Sequence, residues 1–457
     1  MKAPKRVLSP ISSAKKPAEP LTHGISRRRF IAAAGAALAM PAFIPGRALG
    51  LNGETAPSER VVMGMIGCGN QGTINTENFL KHKNCQVVAT CDVDKKHLRH
   101  TTNVINKKYG NQDCKTYHDY RELLARTDID AVLIALPDHW HAMAAVDAAK
   151  AKKDIYGEKP LAHTIAEQQA IVRAVHENNR IWQTGSWQRS ENKFHFAAEI
   201  VRNGLIGELT EIEVGLFGGN KNSGKEATSM TPSDPPPELD YNTWIGPAAM
   251  MPYIQGRVHR NWRWNYNTGG GQLMDWIGHH CDIAHWGAGF DNSGPSEIEG
   301  HGEFPPHDAV WNTATTYRII LKYPGNVTMT IAGGYPDIQL GTKWIGTQGW
   351  VHVDRGHFES KDEKWEEMTR LPENLRKIKL YESHDHWGNF LDCVKSRKPT
   401  ITPSEVAHHS AIPGHLGYIS MVVGRKLRWD VQSEQILGDD VASLMLRRPY
   451  RAPWALA

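Results

Sequence analysis

A glycine-rich turn directly after a buried strand is the feature that most restricts how this chain can fold. Residues 61–66 form a short apolar run, and Gly67, Gly69 and Gly72 follow in the pattern G-x-G-x-x-G. The first glycine permits a tight turn, the second lets the backbone approach a pyrophosphate, and the third lets a helix pack closely on the strand. Unpaired N–H groups at the helix N-terminus can then bind the phosphates. The pattern predicts a dinucleotide-binding turn.

An acidic residue closes the next strand and indicates which dinucleotide is bound. Residues 73–82 are helical in pattern, and residues 86–91 form a second apolar strand that ends at Asp92. A carboxylate at this point accepts hydrogen bonds from the adenosine ribose hydroxyls and repels a 2′-phosphate. NAD is therefore the predicted cofactor, while the nearby Lys95 and Lys96 keep NADP open as an alternative.

The order of helix and strand patterns predicts an α/β fold with two domains. Helices and strands alternate as far as residue 184, which is typical of a Rossmann domain with a doubly wound parallel sheet, here assigned to residues 58–187. Alternating apolar runs within 297–353 predict antiparallel strands. Residues 188–457 are therefore predicted to form an α+β domain with a large, mostly antiparallel sheet, whose last helices pack back on the Rossmann domain. Residues 218–260 are predicted to be a long loop.

The first 50 residues differ in composition from the rest of the chain. They hold nine of the 53 Lys and Arg residues but one of the 49 acidic residues, so the remainder is slightly acidic and ill suited to nucleic acid. A basic run at 26–31, an apolar stretch over 32–45 and a small-x-small site at 48–50 resemble a twin-arginine export signal. We expect a signal peptide over residues 1–50, a periplasmic location and no membrane anchor; the alternative is a basic, Ala-rich amphipathic helix.

Two further motifs follow the glycine turn along the chain. Glu158-Lys159-Pro160 ends the fifth predicted strand, and residues 269–282 read G-G-G-x-x-x-D-x-x-x-H-x-x-D. Together with the glycine turn, they resemble the glucose-fructose oxidoreductase / inositol dehydrogenase / rhizopine catabolism (Gfo/Idh/MocA) family over nearly the whole mature chain. The usual second motif has a glycine where Ile277 stands here, and Gly278 follows one residue late. This departure bears on how closely that helix approaches the cofactor or substrate.

The second motif has its own chemical logic. Asp275, His279 and Asp282 are spaced i, i+4, i+7, so they share one stripe of a helix and can face one pocket. Removing hydrogen from a secondary alcohol needs a base for the hydroxyl proton, and imidazole has the pKa nearest neutrality. We therefore predict that His279 is the base, that Lys159 stabilises the reacting oxygen, and that Asp275 positions Lys159 or the substrate. The family resemblance implies catalytic roles for Lys159, Asp275 and His279.

The resemblance and the predicted sheet edge also imply the binding residues. Those expected to contact the cofactor are Gly67, Gly69, Asn70, Gln71, Gly72, Asp92, Pro137, His139, His141, Glu158, Lys159 and Gln188. Those expected to contact the substrate are Trp140, Trp187, Arg189, Arg263, Asp275 and His279. For residues 187–189, a surface turn with a packed tryptophan is the alternative. The histidines at 279, 280 and 285 lack the spacing of a recognised zinc site, so no metal is predicted.

These features predict an exported NAD(P)-dependent oxidoreductase that acts on a secondary hydroxyl of a sugar, glycoside or polyol. Aromatic rings beside planar donors suit a carbohydrate. Free nicotinamide is scarce outside the cytoplasm, so the cofactor is expected to stay tightly bound and to be recycled. The alternatives are an NAD-dependent glycoside hydrolase or lyase, which works by oxidation, elimination, water addition and re-reduction, and a non-catalytic sugar-binding protein. Self-association into a dimer or tetramer through the open face of the second sheet is expected.

Overall fold

The computed structural model describes residues 56–220, 230–306 and 308–456 of the 457-residue chain. Ser58–Ala457 forms one compact unit. The predicted export signal over residues 1–50 lies outside the described residues. No helix in the described part of the chain is both long and apolar enough to cross a bilayer.

Six parallel strands form the first sheet, as the alternating pattern predicts. In chain order they are β1 (Val61–Ile66), β2 (Cys85–Cys91), β3 (Lys115–Tyr117), β4 (Ala131–Ile134), β5 (Asp154–Gly157) and β6 (Trp182–Thr184). Their spatial order is β3-β2-β1-β4-β5-β6, so the strand order reverses between β1 and β4. Ligands of such sheets bind outside the carboxyl ends of the strands at this switch point.

Helices cover both faces of the first sheet and bury β4 and β5 completely, which explains why β4 is apolar throughout. In β5 the one buried carboxylate, Asp154, pairs with Arg397. They are α1 (Asn70–Phe79), α2 (Lys95–Tyr109), α3 (Tyr120–Leu124), α4 (Asp138–Lys150) and α5 (Ile165–Glu177). Three of them, α2, α3 and α5, begin at side-chain caps that satisfy free N–H groups. The Asp94 carboxylate accepts from Lys96 and His97 at the start of α2, and the Thr164 hydroxyl accepts from Glu167 at the start of α5.

A second, nine-stranded sheet confirms the predicted mostly antiparallel architecture. Its strands are β7 (Leu209–Leu216), β8 (Glu297–Glu303), β9 (Thr316–Tyr323), β10 (Val327–Gly333), β11 (Gly341–Gly346), β12 (Trp350–Asp354), β13 (His357–Ser360), β14 (Leu427–Asp430) and β15 (Gln435–Ile436). Their order is β13-β12-β11-β7-β10-β9-β8-β14-β15. The pair β7 and β10 is parallel, and the neighbouring pairs, such as β9 with β10, run antiparallel.

The remaining helices join this sheet to the rest of the unit. They are α6 (Asn192–Arg202), α7 (Tyr241–Ile245), α8 (Gly271–Ala288), α9 (His386–Ser396), α10 (Ser404–Val423) and α11 (Asp440–Leu444). Residues of α6, α8 and α10 share the largest apolar core with the second sheet. In contrast, α9 packs on the first sheet, where the ring of Phe390 meets those of Phe79 and Tyr156. Helix α8 also meets the end of the first sheet, because Lys159, which follows β5, donates to the backbone oxygen of Asp275.

The prediction of a long loop over residues 218–260 is wrong for the part that the structure describes. That part contains α7 and a small apolar core of its own, built from Leu239, Tyr241, Trp244, Ile245, Ala248, Tyr253 and Val258. The frequent Pro and Gly residues hid this core because the apolar residues between them follow no helical or strand period. The segment packs on Val93, close to the end of β2.

Candidate active site

The glycine turn has the shape that a pyrophosphate needs. Gly67 has a φ of +93°, and a Cβ there would lie 2.2 Å from the carbonyl oxygen of Ala135. A Cβ at Gly72 would lie 1.9 Å from the carbonyl oxygen of Gly67, whereas a Cβ at Gly69 would meet nothing within 4 Å. Gly67 and Gly72 are thus required by close packing, and Gly69 leaves open space at the start of α1. No side chain caps that helix, so its first N–H groups can bind phosphate.

Asp92 lies at the carboxyl end of β2, beside this turn. Its Oδ2 accepts from the N–H of Cys68 at 2.7 Å, and its Oδ1 accepts from the N–H of Asp94 at 2.7 Å. Burial raises the pKa of the Asp92 carboxyl, although these two hydrogen bonds oppose the shift. Each oxygen keeps a second lone pair for a ribose hydroxyl. The residues present therefore fit an adenosine ribose at this edge of the sheet.

The residues around Glu158 fix the end of β5. Its Oε1 accepts from the amide of Asn75 at 2.7 Å and from the amide of Gln71 at 3.3 Å, which ties β5 to the first turns of α1. Asn70, the other residue predicted in that turn, is exposed. A Cβ on Gly185 would lie 2.8 Å from Glu158 Oε1, so the residue that follows β6 packs closely against this carboxylate. The following residue, Lys159, is thereby held at a defined point of the sheet edge.

Lys159, Arg263 and Asp275 form one charged group, which we call the Asp275 cluster. Lys159 Nζ donates to the backbone oxygen of Asp275 at 2.7 Å and to its Oδ1 at 3.0 Å. Arg263 Nε donates to the same Oδ1 at 2.9 Å. Burial alone would raise the pKa of the Asp275 carboxyl, but Lys159 and Arg263 hold this pKa well below its usual range. Asp275 is therefore ionised, and it orients a lysine whose third N–H remains available.

His279 follows Asp275 by one helical turn on α8. Its Nδ1 is buried without a hydrogen-bond partner among the described residues, whereas its Nε2 is not enclosed in this way and is the ring nitrogen that a ligand can reach. Burial lowers the pKa of His279 well below its usual value, and the charges of Lys159 and Arg355 lower it further. The imidazole is thus neutral near pH 7. The amide of Gln188 donates to the backbone oxygen of His279 at 3.3 Å, so Gln188 supports the helix at this point.

Gly278, which comes one residue after the usual glycine position of the second motif, takes over the role of the glycine that Ile277 replaces. A Cβ on Gly278 would lie 3.0 Å from Lys159 Cβ, so this glycine lets α8 approach the lysine stem. Gly278 also accepts a hydrogen bond from the Ser186 hydroxyl at 2.8 Å. Ile277 is buried, and a Cβ on Gly414 of α10 would lie 3.0 Å from its Cγ1. Ile277 therefore faces the core, and the close approach of α8 to Lys159 is retained.

Several residues predicted to bind cofactor brace the site from behind instead. His141 lies between the carbonyl oxygens of Pro160 and Leu136, at 2.8 Å from each. His139 is fully buried against two other carbonyl oxygens, and burial lowers the pKa of His139 to about 3. Pro137 stands at the start of α4. The contacts of His141 connect the end of β4 to the Glu158–Pro160 segment. Carbonyl oxygens thus face every ring nitrogen of His139 and His141, and none is left free for a ligand.

Two residues predicted to bind substrate are placed elsewhere by the structure. Trp140 is buried, its indole N–H donates to Trp244, and its ring packs against Trp454. Arg189 is also buried and donates to both carboxylates of Asp282 and Asp291, at distances of 2.7 to 3.0 Å. We call these three residues the Arg189 cluster. Asp282 lies on the predicted stripe of α8, but its carboxylate turns to Arg189 because a buried guanidinium needs a counter-charge.

A residue that the sequence analysis missed lies beside His279. Arg355 follows β12, and its guanidinium carbon is 4.7 Å from the ring centroid of Trp187 and 4.6 Å from that of Trp276. Trp276 itself meets the His279 ring edge-on at 5.3 Å. Trp187 was predicted at the substrate pocket, but Arg355 stands far away in the sequence in an unremarkable hairpin turn. Only the sheet order brings it to α8.

Two groups of side chains in the described part of the chain have the geometry to hold a metal ion. One is Asp94 with His97 and His259, and the other is His352 with His357 and Glu359. Neither group includes a member of the Asp275 cluster or His279. The lysine ammonium held by Asp275 and the neutral imidazole of His279 suit stabilisation of a negatively charged oxygen and proton transfer.

Comparisons with known proteins bear on this arrangement. The chain is 32% identical over 208 residues to an alpha-N-acetylgalactosaminidase of Shewanella oneidensis, a match that covers 41% of this chain and 45% of that protein. It is 31% identical over 179 residues to a myo-inositol 2-dehydrogenase of Thermotoga maritima, covering 39% and 47%. The matches thus span about half the length of these curated relatives.

A solved structure extends the likeness of fold. The WlbA dehydrogenase of Bordetella pertussis, determined with NADH and UDP-GlcNAcA, aligns with a TM-score of 0.61 at 16% identity, and the alignment covers 82% of this chain and 99% of that one. Residues 61–186 match the oxidoreductase family with an NAD-binding Rossmann fold, and residues 193–456 match the C-terminal alpha/beta domain of the same family. The chain therefore belongs to the Gfo/Idh/MocA oxidoreductase family, and its first domain is an NAD-binding Rossmann domain.

Proposed function

We propose that this chain is an exported oxidoreductase that acts on a secondary hydroxyl of a sugar, glycoside or polyol. The observation that carries the proposal is the hydrogen bonding of Lys159 Nζ to Asp275 one helical turn before His279. A cation with a free N–H and a neutral imidazole are the two groups that a reacting alcohol needs. Lys159 follows the carboxyl end of β5, and His279 lies on helix α8.

The chain's own residues divide the work at the hydroxyl. A lysine ammonium has three N–H donors; two are used on Asp275, and the third donates to the substrate oxygen. His279 Nε2 accepts the hydroxyl proton, because its lowered pKa keeps it unprotonated before the reaction. When bound, NAD supplies the acceptor for the electron pair of the adjacent carbon–hydrogen bond. Asp275 holds Lys159 in place throughout through its backbone oxygen and its carboxylate.

We further propose that the chain works in the periplasm with NAD, or with NADP as an alternative, tightly bound and recycled. The twin-arginine pattern at 26–31 supports export through the twin-arginine machinery, a route that carries folded proteins. A recycling enzyme has two options. Either a second substrate restores the cofactor, or the same glycoside is oxidised, cleaved by elimination, hydrated and reduced again. The similarity to an alpha-N-acetylgalactosaminidase favours keeping the second option. Assembly into a dimer or tetramer through the second sheet is part of this proposal.

The test uses the full-length protein purified without added nucleotide. Denaturation should release nicotinamide, measured by absorbance, in near-stoichiometric amount. A panel of nitrophenyl glycosides, free sugars and polyols then distinguishes net hydrolysis from net oxidation. His279→Ala should retain the nicotinamide and lose turnover, because the imidazole touches no described cofactor-turn residue. An empty protein would refute the recycling proposal, and near-normal turnover of His279→Ala would refute the assigned base.

A further inference from the structure

Arg355 lies near the proposed active site but has no role in the proposed reaction. It stands in the turn between β12 and β13 and is exposed, while its guanidinium lies over the indole rings of Trp187 and Trp276. An arginine stacked on an aromatic ring keeps its N–H donors in its own plane, directed past the edge of the ring. The two indoles therefore cover its apolar surface and leave its donors for a ligand.

The donors of Arg355 are only partly used. Its Nε donates to Gln188 Oε1 at 3.1 Å, and the amide of Gln188 in turn donates to the backbone oxygen of His279. Within the described residues, Nη1 and Nη2 form no hydrogen bond or ion pair. The guanidinium is thus tied to the same turn of α8 as the proposed base, with its forked outer edge open.

The charges around Arg355 do not neutralise it. Partial burial against its neighbours lowers the pKa of Arg355, although Asp354, Glu191 and Asp275 act in the opposite direction. None of these three carboxylates is within ion-pair distance of the guanidinium. The neighbouring Asp354 lies instead against His280, with its Oδ1 3.4 Å from His280 Nε2. Asp275 is already shared by Lys159 and Arg263. The substrate side of the pocket therefore holds more positive than paired negative charge, which favours an anionic ligand.

We infer that Arg355, with Trp187 and Trp276, forms a subsite for an oxyanion, so that the substrate is a sugar that carries a carboxylate or phosphate group. This inference rests on the proposed function for the identity of the ligand as a sugar. The forked guanidinium pairs with a carboxylate or phosphate through two parallel N–H···O bonds. Its link through Gln188 to His279 fixes the distance between the oxyanion and the reacting hydroxyl. Arg355 acts in this way as a specificity residue.

The experiment measures binding to the holoenzyme by tryptophan fluorescence, since Trp187 and Trp276 report occupancy without turnover. The probes are methyl glucuronide, glucose 6-phosphate and the neutral methyl glucoside. We expect the wild type to prefer at least one anionic probe, and the two anionic arms show whether the oxyanion is a carboxylate or a phosphate. Added salt should weaken that preference.

The variants are Arg355→Met, Arg355→Lys and the control Arg318→Met. Arg355→Met should reduce the preference for the anionic probe over methyl glucoside by about 10- to 100-fold, the range for a charged hydrogen-bonded pair, and Arg355→Lys should restore part of it. Arg318 also stacks on an aromatic ring, that of Tyr335 at 4.6 Å, but pairs with Asp337, so Arg318→Met should leave the preference unchanged.

Two results would overturn the inference. One is a wild type that binds methyl glucoside as tightly as both anionic probes, and the other is an Arg355→Met variant with an unaltered preference. Failure of the proposed function looks different, because it is a protein that releases no nicotinamide or turns over no sugar. Binding by fluorescence and its dependence on Arg355 can be measured in either case.

Discussion

Two charged clusters contact helix α8, and they differ in their balance of positive and negative charges. In the Asp275 cluster, two cations share one carboxylate, and the side chains of Lys159 and Asp275 are 13% and 18% exposed. In the Arg189 cluster, two carboxylates share one cation, and the side chains of Arg189 and Asp282 are 2% and 1% exposed. Burial raises the pKa of Asp282 to about 6 despite Arg189, whereas the pKa of Asp275 is well below its usual range.

The difference shows how one helix stripe can serve both stability and chemistry. The Asp275 cluster keeps a spare positive charge and an unused N–H at the pocket, which suits an oxygen that becomes negative during a reaction. The Arg189 cluster uses its guanidinium donors on two acids and lies in the protein interior. Such a buried group is costly to break from one side only. Changing each cluster in turn should therefore affect different properties.

The largest effect is expected from Lys159→Met. The substitution removes the cation that faces the substrate, while Arg263 continues to pair with Asp275. We expect kcat/KM to fall by about 1,000-fold or more, as for the loss of a principal oxyanion stabiliser, with nicotinamide still bound. Steady-state kinetics and denaturant unfolding measure the two properties. A variant that retains most of its turnover would show that the Asp275 cluster is structural, like the other one.

Arg189→Met should destabilise the fold by about 3–5 kcal/mol, because it leaves the buried Asp282 and the partly exposed Asp291 without their shared cation. The folded enzyme should keep its kcat. The deficit should be smaller near pH 5 than at pH 8, because a carboxyl whose folded pKa is raised takes up a proton as the pH falls and then needs no counter-charge. Urea unfolding at both pH values measures this.

The control for Arg189→Met is Arg425→Met, which breaks an exposed pair with Asp439. Exposed pairs contribute about 0–1 kcal/mol. Equal losses in the two variants would contradict the distinction drawn between buried and exposed pairs.

The smallest effect is expected from Gly278→Ala. Its new Cβ would lie 3.0 Å from Lys159 Cβ, so the lysine stem must shift by a few tenths of an ångström. We expect kcat to fall by about 10-fold, since small misplacements of reacting groups are costly, with unfolding free energy changed by about 1 kcal/mol or less. Gly349→Ala, whose Cβ would meet nothing closer than 3.8 Å, should leave kcat unchanged. An unaltered kcat in Gly278→Ala would mean that the late glycine has no part in positioning Lys159.

The sequence predicted best where neighbouring residues act together. Gly67, Gly69 and Gly72 act within one turn, and their backbone demands follow from the absence of a Cβ. The spacing of Asp275 and His279 placed them one helical turn apart, and the structure adds that Asp275 holds Lys159. The fold class followed in the same way, because apolar periodicity is a local property.

The sequence failed where a side chain had to choose among distant partners. Arg189 was predicted to bind substrate because its counter-charges, Asp282 and Asp291, lie far away in the sequence and no local pattern indicates the pairing. Trp140 was placed at the pocket, but it packs against Trp454 from the C-terminal end. For His139 and His141, no local sequence pattern indicated that backbone carbonyl oxygens would lie at hydrogen-bond distance from both ring nitrogens.

The amino-acid sequence by itself determined the strands, the glycine turn, the acid at the end of β2 and the helix that carries Asp275 and His279. Only the tertiary structure decided that Asp275 of α8 pairs with Lys159 while Asp282 pairs with Arg189. It also decided that Arg355 lies against Trp187 and Trp276. The physical reason is one of range. Backbone conformation depends on a few adjacent residues, whereas charge pairing and burial depend on which distant segments the folded chain brings within a few ångströms.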